Sequence, residues 1–290
     1  MFLGRITRSL HAQPRTAKNT DMTLELLTDT EQLQIVDGNN LVLERLFRGV
    51  EASTGIRPLL REIAACRQPP IIVFDGPHAR RRRLEIMPGY KAGRPVKDTY
   101  TDSILPSLAL VRELLPFTPA VVVCVSGWEA DDVVATLARR SAAQGQRVRV
   151  VSNDKDFAQL ADHPLIEVTA EVSGVPAAQV HAYKTAVGDT SDNVKGIKGF
   201  GEKTWAKCDS AALTQFLEQY EGWVPSTGLP RELGLPLAVQ DWWRAYPETV
   251  QACWKVTALW DVPADDLLGS VKSGSHRPDI IDTILNQYML

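Results

Sequence analysis

Four short apolar runs divide the first half of this chain, and each of them ends close to a polar or acidic position. They span residues 33–36, 70–74, 120–125 and 147–151. Their length and their content of β-branched residues are typical of buried strands. The pattern therefore predicts four strands, separated along the chain by longer segments.

Helical periodicity occupies the segments between these runs. Residues 55–66, 103–115 and 129–144 place apolar side chains at the i, i+3, i+4, i+7 spacing of one helix face. Strands that alternate with helices indicate parallel βαβ units. The sequence therefore predicts an α/β fold with a mainly parallel central sheet flanked by helices.

The pattern changes beyond residue 170, where the strand signal fades. Residues 176–260 have a helical pattern, with Pro and Gly punctuation over residues 225–236. We therefore expect two parts in the chain. The first is an α/β domain over residues 23–170, and the second is a helical region over residues 171–290.

Composition narrows the class of protein. The chain has 44% hydrophobic and 23% charged residues, which is ordinary for a soluble globular protein. Its net charge of −3 is unusual for a nucleic-acid binder, but the distribution of the charges matters more than their sum. No apolar run approaches the roughly 20 residues of a membrane span, so no membrane partner is expected. The four cysteines lie far apart, which excludes a zinc knuckle or a CxxC motif, and free thiols fit a reducing, cytoplasmic compartment.

The amino terminus has a different composition. Arg5, Arg8, Arg15 and Lys18 lie in the first twenty residues, which contain no acid. This composition favours a disordered basic extension over residues 1–22. An organellar transit segment is the alternative, because such segments are also rich in arginine and poor in acids.

Acidic residues lie at or soon after the carboxyl ends of all four predicted strands. They are Asp37, Asp75, Glu129 and Asp154. In a parallel sheet these ends meet at one edge, where ligands bind. Five further acids accompany them in the later motifs, namely Asp131, Asp132, Asp156, Asp189 and Asp192. Helix capping would explain Asp131 alone equally well, but it does not explain the whole set.

Carboxylates gathered at one edge would repel one another strongly without cations. Oxygen ligands with no nearby His or Cys select Mg²⁺, for which Mn²⁺ can substitute. Two such ions about 4 Å apart are the arrangement used for in-line displacement at phosphorus. The acids therefore predict a site for two or more divalent cations that acts on phosphodiesters.

Five short blocks, in order and spacing, resemble the flap endonuclease/5′→3′ exonuclease family. This family of structure-specific 5′-nucleases includes phage 5′→3′ exonucleases and the 5′-nuclease domain of bacterial DNA polymerase I. The resemblance covers residues 33 to about 207. The blocks are residues 36–39 (Val-Asp-Gly-Asn), 73–76 (Val-Phe-Asp-Gly), 129–132 (Glu-Ala-Asp-Asp), 152–156 (Ser-Asn-Asp-Lys-Asp) and 188–193 (Gly-Asp-Thr-Ser-Asp-Asn).

The resemblance implies a PIN-like sheet, a helical arch over residues 77–100 and a helix-three-turn-helix over residues 188–207. It also divides the acids between two metal sites. The inner site would take Asp37, Asp75, Glu129, Asp131 and Asp132. The second site would take Asp154, Asp156, Asp189 and Asp192.

The basic segment from Arg80 to Lys97 contains seven basic residues and one acid. Part of it resembles the arch motif of the family, through Arg83, Ile86, Pro88, Tyr90, Lys91 and Arg94. We expect Lys91 and Arg94 to stabilise charge on the scissile phosphate and Tyr90 to stack on a terminal base. The family usually has Phe where this chain has Arg82. That departure creates a run of four arginines that we expect to grip phosphate, namely Arg80, Arg81, Arg82 and Arg83.

A glycine-rich turn follows the last acidic block. Its backbone amides could approach duplex phosphates, and in relatives this loop also holds K⁺. Lys195 stands where many relatives have Pro, and Trp205 replaces a small residue, so the turn departs from the family pattern at these two positions. The predicted DNA-binding residues here are Lys195, Gly196, Lys198, Gly199, Gly201 and Lys203.

These expectations combine into one function. The sequence predicts a divalent-metal-dependent 5′→3′ exonuclease or 5′-flap endonuclease that leaves 5′-phosphate and 3′-hydroxyl products. Its partners would be DNA with a 5′ end or 5′ flap and a duplex arm, or an RNA/DNA hybrid, and the protein would be a monomer. A PIN-type ribonuclease and a non-catalytic DNA-binding relative are the alternatives.

Overall fold

The computed structural model of the chain describes residues 31–47, 55–92, 99–219, 229 and 231–287. The predicted basic extension over residues 1–22 lies outside the described residues. Arg94 of the predicted arch also lies outside them.

A six-stranded sheet forms the centre of the α/β part. The strands are β1 (Leu33–Asp37), β2 (Ile71–Asp75), β3 (Val121–Val125), β4 (Val148–Val151), β5 (Ile166–Val168) and β6 (Val271–Ser273). Their spatial order is β5-β4-β1-β2-β3-β6. The first five strands pair in parallel, and β6 pairs antiparallel with β3. The predicted α/β fold with a mainly parallel sheet is confirmed.

Helices cover both faces of this sheet, because side chains alternate between the faces along each strand. Val36 of β1 and Phe74 of β2 belong to one buried cluster, whereas Ile35 and Val73 belong to the other. The helices of the α/β part are α1 (Gly38–Phe47), α2 (Ile56–Ala65), α3 (Arg81–Ile86), α4 (Thr99–Leu114) and α5 (Ala130–Ala143). The first face packs against α1, α2 and α4, and the second face packs against α5.

A third buried cluster holds the helical part together. Its helices are α6 (Val180–Val187), α7 (Glu202–Trp205), α8 (Ser210–Glu218), α9 (Leu237–Ala245) and α10 (Pro247–Thr257). Trp205 and Trp243 are buried in this cluster. Shorter 3-10 turns occur at Leu115–Phe117, Lys155–Leu160, Ala177–Gln179 and Arg231–Leu233.

The carboxyl-terminal segment returns to the sheet after α10. A short helix, α11 (Ala264–Leu267), leads into β6, and α12 (Pro278–Gln287) follows. Ile281 and Leu285 of α12 are buried against the first face of the sheet. The prediction that residues 171–290 form one helical region is therefore wrong for this segment. Every residue of β6 is exposed, so the strand carries no alternating pattern that a sequence could reveal.

The described part of the chain contains no helix that is both long and apolar enough to cross a membrane.

Candidate active site

The predicted acids gather where the parallel strands end, and we call this group of carboxylates the acid edge. Asp37 is the last residue of β1, Asp75 is the last of β2, and Asp154 follows β4. Helix α5 begins beside them, because Asp75 Oδ1 accepts a hydrogen bond of 2.8 Å from the backbone N of Ala130. The acid edge comprises Asp37, Asp75, Glu129, Asp131, Asp132, Asp154, Asp156, Asp189 and Asp192.

One part of the acid edge concentrates negative charge. Carboxylate oxygens of Asp131, Asp154 and Asp156 lie within 4.8 Å of one another. Burial raises the pKa of Asp131 well above its ordinary value, and the neighbouring Asp154 raises it further. Burial likewise raises the pKa of Asp37 to about 7. A half-buried group of oxygen donors in which negative charge is concentrated in this way has the chemistry of a hard divalent cation site.

Arg83 lies buried beside another part of the acid edge. Its guanidinium donates to Asp132 at 2.6 and 2.8 Å and to Glu129 at 2.7 Å. It also donates to the carbonyl oxygens of Val256 and Ala258, at 3.0 and 2.8 Å. These bonds use all five N–H groups of the side chain. The prediction that Arg83 grips phosphate is therefore wrong in this arrangement.

Asp132, which pairs with Arg83, also has both of its carboxylate oxygens in hydrogen bonds. Asp132 is 1% exposed, and its Oδ1 also accepts from the backbone N of Trp260 at 2.8 Å. Both of its oxygens accept from Arg83. The geometry therefore contradicts the prediction that Asp132 is a direct metal ligand and gives it the role of holding Arg83.

Lys91 and Tyr90 close over Glu129. The Lys91 ammonium donates to Glu129 Oε1 at 2.7 Å and lies 3.6 Å from Asp192 Oδ2. Burial alone would raise the pKa of Glu129, but Lys91 and Arg83 hold it below its usual range. Lys91 therefore lies directly beside the acids, and its role at the scissile phosphate stays a prediction.

Tyr90 does not have the exposure that base stacking needs. Its side chain is 4% exposed, and its hydroxyl donates to Asp192 at 3.0 Å. The ring packs with Val194, Cys253 and Val256. The prediction that a terminal base stacks on Tyr90 is wrong in this arrangement, because the ring is part of a small core.

Lys184 lies beside the acid edge, and sequence reasoning missed it. Its ammonium donates to Asp189 Oδ2 at 2.8 Å and also contacts Asp156. Lys184 is buried on α6, one helical turn after the buried Val180. A lysine on the buried stripe of a helix, close in sequence to Asp189, was the signal that could have identified it.

The other arginines of the run face solvent. Arg80, Arg81 and Arg82 are exposed. Arg80 and Arg81 line a cleft of about 600 Å³ together with Asp75 and His78. The Arg82 guanidinium lies 4.0 Å from the centre of the Trp128 ring. The run thus places exposed cations next to one end of the acid edge.

The glycine turn is folded tightly at its start and open at its end. A Cβ at Gly196 would lie 2.6 Å from the carbonyl oxygen of Ala186, and Gly196 and Gly199 both have positive φ. A Cβ at Gly201 would meet no atom within 4 Å. The lysines of this turn are exposed, namely Lys195, Lys198 and Lys203.

Trp205, which replaces a small residue of the family pattern, does not lie on the surface of the turn. Its ring is 7% exposed and meets Tyr183 edge to face, with 5.2 Å between the ring centres. It therefore packs inside the helical core and leaves the surface of the turn unobstructed.

The 5′-3′ exonuclease N-terminal resolvase-like domain is the family whose model matches residues 32–187. The chain belongs to this family. The match ends just before Asp189, and it contains seven acids of the acid edge, namely Asp37, Asp75, Glu129, Asp131, Asp132, Asp154 and Asp156.

Curated relatives agree with this family. The chain is 34% identical to the thermostable DNA polymerase I of Thermus thermophilus over 204 residues, which are 62% of the chain and 24% of the polymerase. It is 30% identical to a 5′-3′ exonuclease of Aquifex aeolicus over 196 residues, which are 59% of the chain and 66% of that protein. The chain thus matches about a quarter of the length of the polymerase.

Solved structures share the fold. A bacteriophage T5 5′-exonuclease with bound zinc has a TM-score of 0.55, and a bacteriophage T5 flap endonuclease in complex with DNA and metal ions has 0.57. Each is 18% identical and covers 79% of this chain and 89% of its own. This likeness supports the PIN-like arrangement of sheet and helices.

Proposed function

We propose that this chain is a divalent-metal-dependent 5′→3′ exonuclease or 5′-flap endonuclease of DNA. It would hydrolyse phosphodiesters to leave 5′-phosphate and 3′-hydroxyl ends. The observation that carries the proposal is the group of Asp131, Asp154 and Asp156 oxygens within 4.8 Å, in a chain that belongs to the 5′-3′ exonuclease family. Mg²⁺ or Mn²⁺ held there would supply positive charge to the scissile phosphate and activate water.

Different residues of the acid edge would have different roles in the reaction. The buried Asp37 and the half-buried Asp131, Asp154 and Asp156 offer the oxygen donors that would hold the cations. Asp75 fixes the start of α5 and thereby the position of Asp131. In this proposal Glu129 has a different role, because its hydrogen bond to Lys91 keeps an ammonium beside the reacting phosphate.

Lys91 would act on charge that develops at phosphorus. Its ammonium is buried and faces the acid edge, where a positive charge is screened less than in water. Although burial would lower the pKa of Lys91, the carboxylates of Asp131 and Glu129 raise it, so the group stays charged. Arg94, whose structure is not described, is proposed as its partner on the resemblance alone.

The exposed cations would bind the rest of the substrate. Arg80, Arg81 and Arg82 suit the phosphates of the 5′ strand beyond the acid edge. A cleft of about 740 Å³ is lined by Asp154 and Asp189 at the acid edge and by Lys195 near the glycine turn. We propose that a duplex arm follows this direction, with phosphates on Lys195, Lys198, Gly199, Gly201 and Lys203. K⁺ at the carbonyls of the turn and monomeric action are parts of the same proposal.

One experiment tests the proposal and its rivals. A 5′-labelled duplex, a 5′-flap substrate, an RNA/DNA hybrid and an RNA strand are incubated with Mg²⁺, Mn²⁺ or EDTA. We expect metal-dependent cleavage of the first two, with 5′-phosphate and 3′-hydroxyl products. Cleavage confined to the RNA strand would favour a PIN-type ribonuclease, and binding without any cleavage would favour a non-catalytic relative.

A further inference from the structure

The base of the arch is fastened to the turn that carries two of the predicted acids. We define the arch base as residues 87–91 and the acid turn as residues 189–194. The side chain Nδ2 of Asn193 donates to the carbonyl oxygen of Gly89 at 2.7 Å. In the opposite direction, the backbone N of Lys91 donates to the carbonyl oxygen of Asp192 at 2.8 Å.

The acid turn is held by backbone hydrogen bonds that do not involve the arch. Asp189 and Val194 exchange two backbone hydrogen bonds of 2.8 Å. The backbone N of Ile197 donates to the carbonyl oxygen of Ala186 at the end of α6, also at 2.8 Å. The turn is therefore fixed to α6, and Asn193 projects from a fixed support.

The arch base, in contrast, depends on its contacts. Lys91 has φ 55° and Asn193 has φ 58°, so both residues lie in the left-handed region. Asn tolerates this conformation, but a side chain such as lysine adopts it at a cost of about 1 kcal/mol or more. Such a conformation persists where surrounding bonds hold it. The backbone bond from Lys91 N to Asp192 O and the bond from Asn193 to Gly89 support Lys91 in this conformation, together with the bond from the Tyr90 hydroxyl to Asp192.

We propose that Asn193 is a positioning residue for Lys91. By holding the carbonyl of Gly89, it fixes the path of the arch base and sets the Lys91 ammonium 2.7 Å from Glu129. The same bond joins the arch base to the segment that leads into the glycine turn, so the two predicted DNA-binding elements share one support. This inference rests on the proposed function, which supplies the role of Lys91 at the scissile phosphate.

Two substitutions at this position separate the side chain from the backbone. Asn193→Gly and Asn193→Ala both remove the amide, but only alanine adds strain at positive φ. We expect both to slow single-turnover cleavage about tenfold, because Lys91 is no longer held in place. The dissociation constant for DNA, measured in EDTA, should change by less than about twofold, because the proposal gives the amide no phosphate contact. A change in affinity alone would overturn the proposal.

Gly89 offers a reciprocal probe. Among the described residues, the only atom that a Cβ at Gly89 would meet within 4 Å is Nδ2 of Asn193, at 3.3 Å. Gly89→Ala should therefore disturb this contact and slow cleavage by about two- to threefold. In the Asn193→Gly background the clash is gone, so Gly89→Ala should have no further effect. Additive losses would show that the two residues act separately and would overturn the proposal.

A measurement without metal or substrate keeps this inference separate from the proposed function. Hydrogen exchange of the metal-free protein reports the bond from Lys91 N to Asp192 O. We expect the Lys91 amide to exchange about fivefold faster or more in Asn193→Gly, with the core strands unchanged. Faster exchange in a protein that cleaves no substrate would overturn the proposed function but keep the link. Unchanged exchange, or faster exchange with an unchanged cleavage rate, would overturn the positioning role.

Discussion

The acid edge contains two groups of carboxylates that differ in how their charge is balanced. The strand side, defined as Asp37, Asp131 and Asp154, receives no ion pair from a basic side chain of the described residues. The arch side, defined as Glu129 and Asp132, is paired with Arg83 and Lys91 at 2.6 to 2.7 Å. Burial raises the pKa of every carboxyl on the strand side, whereas the pKa of Glu129 is lowered by its cations.

The two groups of acids look alike in sequence, but the difference in charge balance gives them different roles. Burial also raises the pKa of Asp132, but hydrogen bonds from Arg83 oppose the shift. The arch side therefore carries its own counter-charges and fixes the arch to α5. Among the described residues no basic side chain forms an ion pair with the strand side, so the strand side gains most from a cation supplied by the solvent.

The largest effect is expected on the strand side. Asp131→Asn should reduce cleavage by about a thousandfold or more, because an oxygen donor of the proposed cation site is lost. DNA binding in EDTA should persist. The metal-free variant should also melt at a higher temperature, because a repelling charge has been removed. Near-native cleavage with Mg²⁺ as the only divalent cation would contradict the comparison.

On the arch side, the loss of a charged group should lower the free energy of unfolding. Arg83→Gln should lower the free energy of unfolding by about 3–5 kcal/mol, because Glu129 and Asp132 remain buried without their partner. Denaturant unfolding of the metal-free protein measures this. The matched control is Arg81→Gln, since Arg81 is exposed and its one ion pair among the described residues is with Glu85. The effect of this control should stay within about 0.5 kcal/mol. If both variants changed the free energy of unfolding equally, the burial of Arg83 between Glu129 and Asp132 would have no special effect on stability.

Lys91 tests whether the arch side also serves the reaction. Lys91→Ala should slow single-turnover cleavage about a hundredfold, because its charge matters most in the transition state. Affinity for DNA should change much less, since the ammonium is buried against Glu129. A loss of affinity with unchanged single-turnover chemistry would reassign Lys91 to ordinary phosphate contact.

The glycine turn lies outside both groups and should respond in binding alone. A side chain at Gly201 meets open space and ordinary φ, so Gly201→Val should fold normally. It should weaken binding of duplex-containing DNA about fivefold by keeping phosphate away from the backbone. A short single strand, compared at the same salt concentration, should bind as before. Equal losses on both substrates would show that this turn is not the duplex clamp.

The smallest effect concerns a pH dependence from outside the acid edge. His181 stacks on Trp254 with 3.6 Å between ring centres, and burial lowers the pKa of His181 to about 4. The unfolded chain binds a proton on this group below about pH 6.5, whereas the folded protein does so only near pH 4. Its contribution to stability is therefore complete above pH 6.5 and falls as the pH drops toward 4.

Removing this contribution makes pH titrations of the acid edge easier to interpret. His181→Phe keeps an aromatic ring against Trp254 but cannot titrate. Unfolding free energies between pH 4.5 and 7 should lose part of their rise with pH in this variant. The exposed His276→Gln is the control and should keep the rise. An unchanged slope in His181→Phe would mean that the histidine does not titrate differently in the two states.

The local pattern of the sequence determined the four central strands of the sheet and the positions of the acids near their ends. Buried parallel strands are continuous apolar runs, so residues 33–36 and 70–74 can be predicted as strands without reference to the rest of the chain. Their carboxyl ends share an edge, which brought Asp37, Asp75 and Asp154 together in the prediction and in the fold. These features depend on periodicity and connection rules, both of which are encoded locally.

Tertiary packing decided which charges face one another. Four successive arginines look equivalent in sequence, yet only Arg83 is buried, because α3 lies against α10 where the carbonyl of Val256 can accept its N–H. Lys184 joins Asp189, and Asn193 reaches Gly89, across contacts that no short-range pattern records. The function of a charged or polar side chain depends on its partners and its burial, and both are fixed only when distant segments pack together.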